Sequence, residues 1–382
     1  MYCPKCGKEN PDDGRTCSAC NYELLAVSAE GQKVQVKTSR LAIASFVLAL
    51  VSVFIFYFIF YLARTTRGRS ENILILAVYF ITSWAAIIFG VISLIRIGLS
   101  AGRLAATGFA VIGAVLPFSV YGLLMFIAYL RPVRMTAYRM TCGVNLSRIG
   151  KAMLIYANDY KDELPRAGGR GTIWHPKINN WQADNRISAY GLQPDATGGQ
   201  ASISASFYLL IKYAEIVPKS FVCTNDKGTT EFKPTEYGVG DKNLIDLWDF
   251  GPEPWKHCSY AYHIPYGSYA LTTSSEPGMA VAADRNPWLA TGKLKARNFS
   301  LFNPDGDIKQ QKAGNSLVHQ EDGQQVLFMD THVYFEKRAF CGINDDNIYT
   351  FWDGSDIRRG APPNLGSQPM DRRDSLLVHD PP

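Results

Sequence analysis

Cys3, Cys6, Cys17 and Cys20 form two Cys-x-x-Cys pairs separated by ten residues. A tetrahedral zinc ion takes four thiolates at about 2.3 Å, and each pair supplies two of them from one tight turn. Gly7 suits the first turn, and Asn21 sits just past the second pair. Four thiolates leave no open coordination position. The expected role is therefore structural, with zinc as the cofactor and no catalysis. Two local disulfides are the competing use of the same residues. They would require an oxidising compartment, and no cleavable signal peptide is read ahead of these cysteines.

A second group is His319, Asp330 and His332. Two imidazoles and a carboxylate can bind a transition metal and activate water. That use would need His319 to fold back onto a hairpin across which Asp330 and His332 alternate. The expected role is again structural, because an aspartate at a turn accepts backbone N–H bonds. Asp284, Arg285 and Asn286, at a strand end, are read the same way. Asp305 and Asp307, and the run Asp345, Asp346 and Asn347, are the residues that would serve calcium, although neither run has the full ligand series of an EF-hand. No nucleophile elbow, phosphate-binding loop or dinucleotide fingerprint occurs. No enzyme activity is expected.

The elements that hold these groups fall into two redox settings. Of eight cysteines, four lie in the first twenty residues, and Cys142, Cys223, Cys258 and Cys341 lie far downstream. Between them, residues 41–63, 73–95 and 104–130 are continuously apolar. At about 1.5 Å rise per residue, each run is long enough for a hydrocarbon core of about 30 Å. Three such runs close together argue against buried helices of a soluble protein. Gly90, Gly98, Gly102, Gly108 and Gly113 give the second and third runs small faces for close helix packing. An odd number of spans puts the chain ends on opposite sides. Metal-bound thiolates favour the cytoplasm for the N-terminus, which leaves the downstream domain outside, in a multi-pass protein of the inner (cytoplasmic) membrane. Arg64, Arg67 and Arg69 run against this orientation, since cations favour the inner side. The net charge of +5 is spread without a Lys/Arg cluster, so no nucleic-acid partner is expected. The expected partners are the lipid bilayer and proteins of the envelope.

The expected division is a zinc ribbon over 1–24, a polar linker over 25–40, three transmembrane helices over 41–130, an α+β domain over 131–353 and a loose tail over 354–382. The third apolar run continues into a stripe of Cys142, Leu146, Ile149, Met153, Tyr156 and Tyr160, one face of a helix, with Leu164-Pro165 as its expected stop. Residues 168–199 read as irregular surface loop and 203–217 as a short helix. Short strand-like runs follow at 221–223, 258–263, 279–283, 325–329 and 332–336. The last two form a hairpin with one face against the long helix. One long helix followed by antiparallel strands reads as α+β.

Several of these stretches carry family resemblances. The two cysteine pairs are similar to a bacterial zinc ribbon. Leu41-Ala-Ile-Ala-Ser, Ile87-Ile-Phe-Gly-Val-Ile-Ser-Leu-Ile-Arg-Ile and Gly102-Arg-Leu-Ala-Ala-Thr-Gly-Phe-Ala resemble a small bacterial membrane domain of unknown function that often follows such a ribbon. Cys142-Gly-Val-Asn-Leu-Ser-Arg-Ile-Gly-Lys-Ala-Met, with Tyr156-Ala-Asn-Asp-Tyr, resembles the post-membrane helix of type II pseudopilin-like proteins of the prepilin/H-X9-DG family. The similarity returns at Phe221-Val-Cys-Thr-Asn-Asp, Ser259-Tyr-Ala-Tyr, Ala283-Asp-Arg-Asn-Pro-Trp288 and Val326-Leu-Phe-Met-Asp-Thr-His-Val333, so it covers about residues 131–360. The family's leader and Gly-Phe-Thr-Leu-Ile-Glu start are not matched. Its terminal motif spaces His from Asp-Gly by nine residues. Here ten residues separate His319 from Asp330, and Thr331 stands in place of the Gly. The resemblance implies a pseudopilin-like domain, a long helix laid on an antiparallel sheet, in a type II secretion-like envelope setting. It also implies a disulfide between Cys223 and Cys258, with Cys142 and Cys341 left to pair with each other or to stay as buried thiols. Calcium at the C-terminal loops, as in some pseudopilins, would follow from the same resemblance. The expected function is a non-enzymatic, membrane-anchored structural or assembly protein. The alternatives are a transmembrane sensor with an outer ligand-binding domain and, third, a small metal hydrolase.

Overall fold

The computed structural model describes residues 2–3, 5–11, 14, 16–22, 37–65, 71–100, 104–169 and 171–382, with the backbone only for 59–65, 71–76, 128, 131 and 132. Residues 25–36 of the expected linker lie outside the described residues, as do Gly102, Arg67 and Arg69. The chain divides into two compact units, Met1–Tyr129 and Leu130–Pro382.

After the cysteine pairs, the first unit holds β1 (Lys37–Thr38), α1 (Arg40–Thr65), α2 (Glu71–Leu99), β2 (Leu104–Ala105) and the start of α3 (Thr107–Asp159). The stretches Arg40–Phe58, Ala77–Leu99 and Thr107–Ile127 are helices long and apolar enough to cross a membrane. Their burial pattern is that of a lipid-facing bundle. Large side chains such as Phe54, Tyr57, Ile81, Trp84 and Phe118 point outward, while Ala42, Ala49, Ala86, Ala110, Ser45, Ser52 and Ser93 are buried. With lipid as solvent, close packing of small residues and interhelical hydrogen bonds take over from the hydrophobic effect. Ser45 Oγ donates to the Ala86 carbonyl at 2.7 Å, and the Ser39 and Ser93 hydroxyls stand 3.0 Å apart. A Cβ at Gly113 would lie 2.0 Å from Ser45 Oγ, and one at Gly90 would lie 2.9 Å from both Ser45 Oγ and the Ala110 carbonyl. Only these two of the expected packing glycines are so used among the described residues; Gly98 and Gly108 face open space.

The rest of α3 is the core helix of the second unit. Its predicted stripe is the buried one: Cys142, Leu146 and Ile149 are fully buried, and Met153 and Tyr156 nearly so. The helix ends at Asp159, earlier than Leu164-Pro165, because Lys161 and Asp162 take left-handed conformations at φ 56° and 60°. The next segment was expected to be surface loop. It is irregular but packed: β3 (Ile173–Trp174), α4 (Arg186–Tyr190) and β4 (Gln200–Ala201) frame Trp174, Ile178, Trp181 and Tyr190, all buried. Then α5 (Ile203–Ala214) ends at Glu215, which adopts φ 55°, before Pro218 is reached.

The remaining elements are β5 (Tyr260–His263), β6 (Ala280–Asp284), α6 (Ile308–Lys312), β7 (Gln324–Phe328), β8 (Val333–Glu336) and β9 (Leu377–Val378). The strands make one antiparallel sheet in the order β8-β7-β6-β5-β9. Residues 221–223, expected as a strand, instead lie at the end of a 3-10 turn, Pro218–Phe221, and join no sheet. Both sheet faces are covered. Tyr260, Tyr262, Leu327 and Val378 enter the core that holds α3 and α5, while Ala261, Val326, Phe328 and Leu377 enter a second core with Trp288, Phe302 and Tyr349. A sheet buried on two faces explains why Val326-Leu-Phe, the end of β7, is an unbroken apolar run rather than an alternating one. On the α3 face, a Cβ at Gly150 would lie 2.8 Å from Leu327 Cδ1, so helix and sheet approach closely there.

The expected loose tail is ordered and integral. Leu376, Leu377, Val378, His379 and Asp380 are buried, and β9 closes the sheet edge beside β5. Asp380 accepts from the N–H groups of Ile203 (2.9 Å) and Ser204 (2.8 Å) and from Trp174 Nε1 (3.0 Å). The C-terminus thus caps the start of α5, where unpaired donors and the helix dipole favour a carboxylate.

Candidate metal centre

The four N-terminal cysteines converge: their sulfurs all lie within 4.8 Å of one another. Cys3 and Cys20 are 3.6 Å apart, and Cys6 and Cys17 are 3.5 Å apart. Two equivalent turns bring this about. Gly7 N–H donates to the Cys3 carbonyl and Asn21 N–H to the Cys17 carbonyl, at 2.8 and 3.0 Å, and Gly7 and Asn21 both take left-handed φ, 70° and 50°. These are the residues that adopt such angles most readily. Asn10, which the spacing does not single out, ties the turns together. It is buried, its amide donates to the Lys8 carbonyl and to Cys17 Sγ, and its carbonyl accepts from Ser18 N–H and Oγ.

The donor set fits a thiophilic ion. The Ala19 N–H that points at Cys17 Sγ is the largest cause holding that thiol down, at about 6, despite its burial. A thiolate is the form that binds metal. At Cys20 the Tyr22 N–H also pulls downward, but burial and the neighbouring thiols outweigh it and raise the group to about 12. Four thiols competing for the same space in this way are relieved by an ion that replaces their protons.

The second group does not assemble as a three-ligand site. His319 is fully buried, with Nε2 3.3 Å from Asp284 Oδ2, whereas Asp330 and His332 are exposed and pair with each other. Asp330 Oδ1 also accepts from His332 N–H at 3.1 Å, so the carboxylate does organise the hairpin turn. His319 is turned inward by a short 3-10 segment, Leu317–His319, that ends at Gln320 with φ 60°. Its ring meets Phe335 edge-on. The aspartates of the calcium reading are engaged elsewhere. Asp305 pairs with Arg358, Asp307 caps α6, and buried Asp346 accepts from Ser375 N–H.

The disulfide is not the expected one. Cys223 is bonded to Cys142, and Cys258 and Cys341 are free. The Cys223 and Cys258 segments do run side by side, since Ser259 N–H donates to the Phe221 carbonyl at 2.8 Å. However, the stripe of α3 presents Cys142 to Cys223, while Cys258 lines a small cavity with Ser204, Arg285 and His379. Burial pushes the Cys258 thiol up to about 12 and leaves it inert. Beside the disulfide stand Asp284 and His319, so that one donor atom from each of Cys142, Cys223, Asp284 and His319 lies within 4.8 Å of the others. Asp284, noted in the sequence only as part of a turn cluster, is therefore the true neighbour of His319.

Compared with known protein families, with curated proteins and with solved structures, the chain matches none.

Proposed function

We propose that this chain is a membrane-anchored structural or assembly protein of the bacterial envelope, with a zinc ribbon in the cytoplasm and a pseudopilin-like domain outside. The observation that carries the reading is the contrast of cysteine chemistry across the three apolar helices. Four convergent thiols precede the first apolar stretch, and a disulfide follows the third, which ends at Ile127. Disulfides persist in oxidising compartments, and thiolate metal sites suit reducing ones. Zinc is the ion that four cysteines in this spacing favour. The helix-on-sheet packing of the second unit supports the family reading. Protease protection on intact cells tests the orientation: the second unit should be digested from outside and the N-terminal cysteine module protected. An N-terminus open to external protease would overturn the reading. Cross-linked pull-downs with and without residues 1–22 should then recover envelope proteins through the outer domain in both cases.

A transmembrane sensor is favoured by one observation, a cavity of about 580 Å³ lined by Glu163, Arg166, Tyr262, His263, Ser268 and Thr272. Its volume falls within the range of about 300–1,000 Å³ usual for small-molecule sites. Four of its polar groups are already engaged, Arg166 with Glu163, Tyr262 with the Pro165 carbonyl and His263 with the Tyr269 carbonyl. That leaves structural packing as the better reading of this region. A ligand that raises the melting midpoint, and loses that effect in Arg166→Ala, would favour the sensor.

A further inference from the structure

The disulfide centre has donor chemistry that a disulfide alone does not use. Cys142, Cys223, Asp284 and His319 are each buried, and their donor atoms form a single cluster. Among the described residues, His319 Nδ1 and Asp284 Oδ1 have no hydrogen-bond partner, and His319 Nε2 faces Asp284 Oδ2 at 3.3 Å. Leaving such groups unpaired in a core is costly, so a use for them is expected. The other carboxylate oxygen is held in place: Asp284 Oδ2 accepts from Gln325 N–H at 2.7 Å. A backbone donor behind one oxygen, with the other free, is how ligating carboxylates are oriented.

We propose that, with the Cys142–Cys223 bond reduced, these four residues form a closed zinc site of two thiolates, one imidazole and one carboxylate. A dithiol reductant breaks the S–S bond, supplies two electrons and two protons, and leaves as its own cyclic disulfide. Zinc then displaces both thiol protons to solvent. The centre has two alternative cross-links, a disulfide under oxidising conditions and a metal under reducing ones. Either one ties α3 to the loop after Phe221, and the metal also ties β6 to the turn before β7. This inference does not depend on the orientation proposed above. Because all four groups are buried, metal exchange is slow and needs local opening.

The test uses the full chain in detergent and counts zinc. Oxidised protein holds the zinc of the N-terminal module only. After treatment with dithiothreitol, until thiol titration finds two further thiols, and equilibration with zinc sulfate, one additional zinc per chain is expected. The increment should vanish in His319→Ala and in Asp284→Asn, and persist in His332→Ala, whose imidazole is exposed. If a core variant fails to fold, cobalt(II) in the reduced, unsubstituted chain decides. A spectrum of mixed sulfur and nitrogen/oxygen ligation, added to that of the all-sulfur module, supports the site. Reduced protein that binds no more metal than oxidised protein, or an increment with an all-sulfur spectrum, overturns it. Failure of the N-terminal module would show separately, as missing zinc in the oxidised chain.

Discussion

Among the described residues there are two clusters of four donor residues, and they are built in opposite ways. In the first, Cys3 to Cys20 lie within one short segment, and two backbone turns create the geometry. In the second, Cys142 comes from a helix, Cys223 from a loop, Asp284 from a strand end and His319 from a 3-10 turn, and the fold creates the geometry. A short segment has little core of its own, so its structure would depend on an ion held by the four sulfurs. A cluster assembled by two packed cores exists before any ion arrives. Local chemistry is thus written as spacing, whereas non-local chemistry is written only as burial.

The largest effect expected from this contrast is at the first cluster. Structural zinc in modules of this size contributes on the order of 10–16 kcal/mol of folding free energy. Cys6→Ser, or chelation, should therefore unfold residues 1–22 while the second unit melts unchanged. Metal analysis combined with limited proteolysis checks both halves. A metal-free N-terminus that stays protease-resistant would break the contrast.

At the second cluster the loss is smaller, because the core remains. The Cys142–Cys223 bond spans 81 residues, and closing a loop of that size stabilises by roughly 4–5 kcal/mol in the chain-entropy model. The double change Cys142→Ser with Cys223→Ser should cost about that amount in chemical denaturation. Cys258→Ala should cost only about 1–2 kcal/mol, as a small cavity does. Mass mapping without reduction should find the 142–223 link, and a 223–258 link would falsify the arrangement.

The same division explains what could be read from the sequence. The cysteine turns, the three apolar helices, the stripe of α3 and the strands from β5 to β8 are local signals, of period, spacing or run length. The disulfide partner was not legible, because Cys142 sits on a stripe where any apolar residue would serve. The pairing of His319 with Asp284 joins two chain segments that carry no shared pattern. Nor did Leu376-Leu-Val-His announce a strand: β9 is two residues long, follows a stretch rich in Pro, Arg and Asp, and is held by β5 and by the cap that Asp380 makes on α5. Residues 168–199 misled for a related reason. Their Gly, Asn and Pro content disfavours regular structure, but the tryptophans within it still find the core.

Acid should separate the first cluster from the second unit. Thiolate sites lose metal as pH falls, because protons compete for the sulfurs. The second unit has the opposite dependence. Desolvation, then the neighbouring Asp380, raises Asp249 to about 8, and desolvation, then Asp374, raises Asp346 to about 8. Desolvation raises Asp374 itself to about 6. A carboxyl whose folded value lies above its unfolded value binds its proton more tightly when folded. Its contribution is complete below about pH 4 and is lost as pH rises toward the folded value near 8. The second unit should therefore be more stable at pH 5 than at pH 9, by roughly a few kcal/mol. Asp249→Asn should flatten the slope. A midpoint that climbs with pH over this range would show that these carboxyls are ionised and paired in the fold.

The smallest effect lies at the hairpin joining β7 to β8. Thr331 N–H donates to the Phe328 carbonyl at 2.9 Å, and Phe328 N–H to the His332 carbonyl at 3.0 Å, which fixes a tight turn. Thr331 pays for this turn with φ 71°, a region that a β-branched residue rarely adopts. Left-handed backbone costs an ordinary residue about 1–2 kcal/mol. Glycine removes that cost but loses about 0.5–1 kcal/mol through the greater freedom of its unfolded chain. Thr331→Gly should thus stabilise the second unit by about 0.5–1 kcal/mol, a rise of roughly 2–3 °C in melting midpoint. Asp330→Ala should act in the other direction by a similar amount, since the bond it loses, to His332 N–H, is exposed. Thr331→Ala, which keeps the Cβ and its clash, should gain nearly nothing, and this separates backbone strain from loss of the threonine hydroxyl. Equal midpoints for the glycine and alanine variants would mean that the turn carries no strain at this residue.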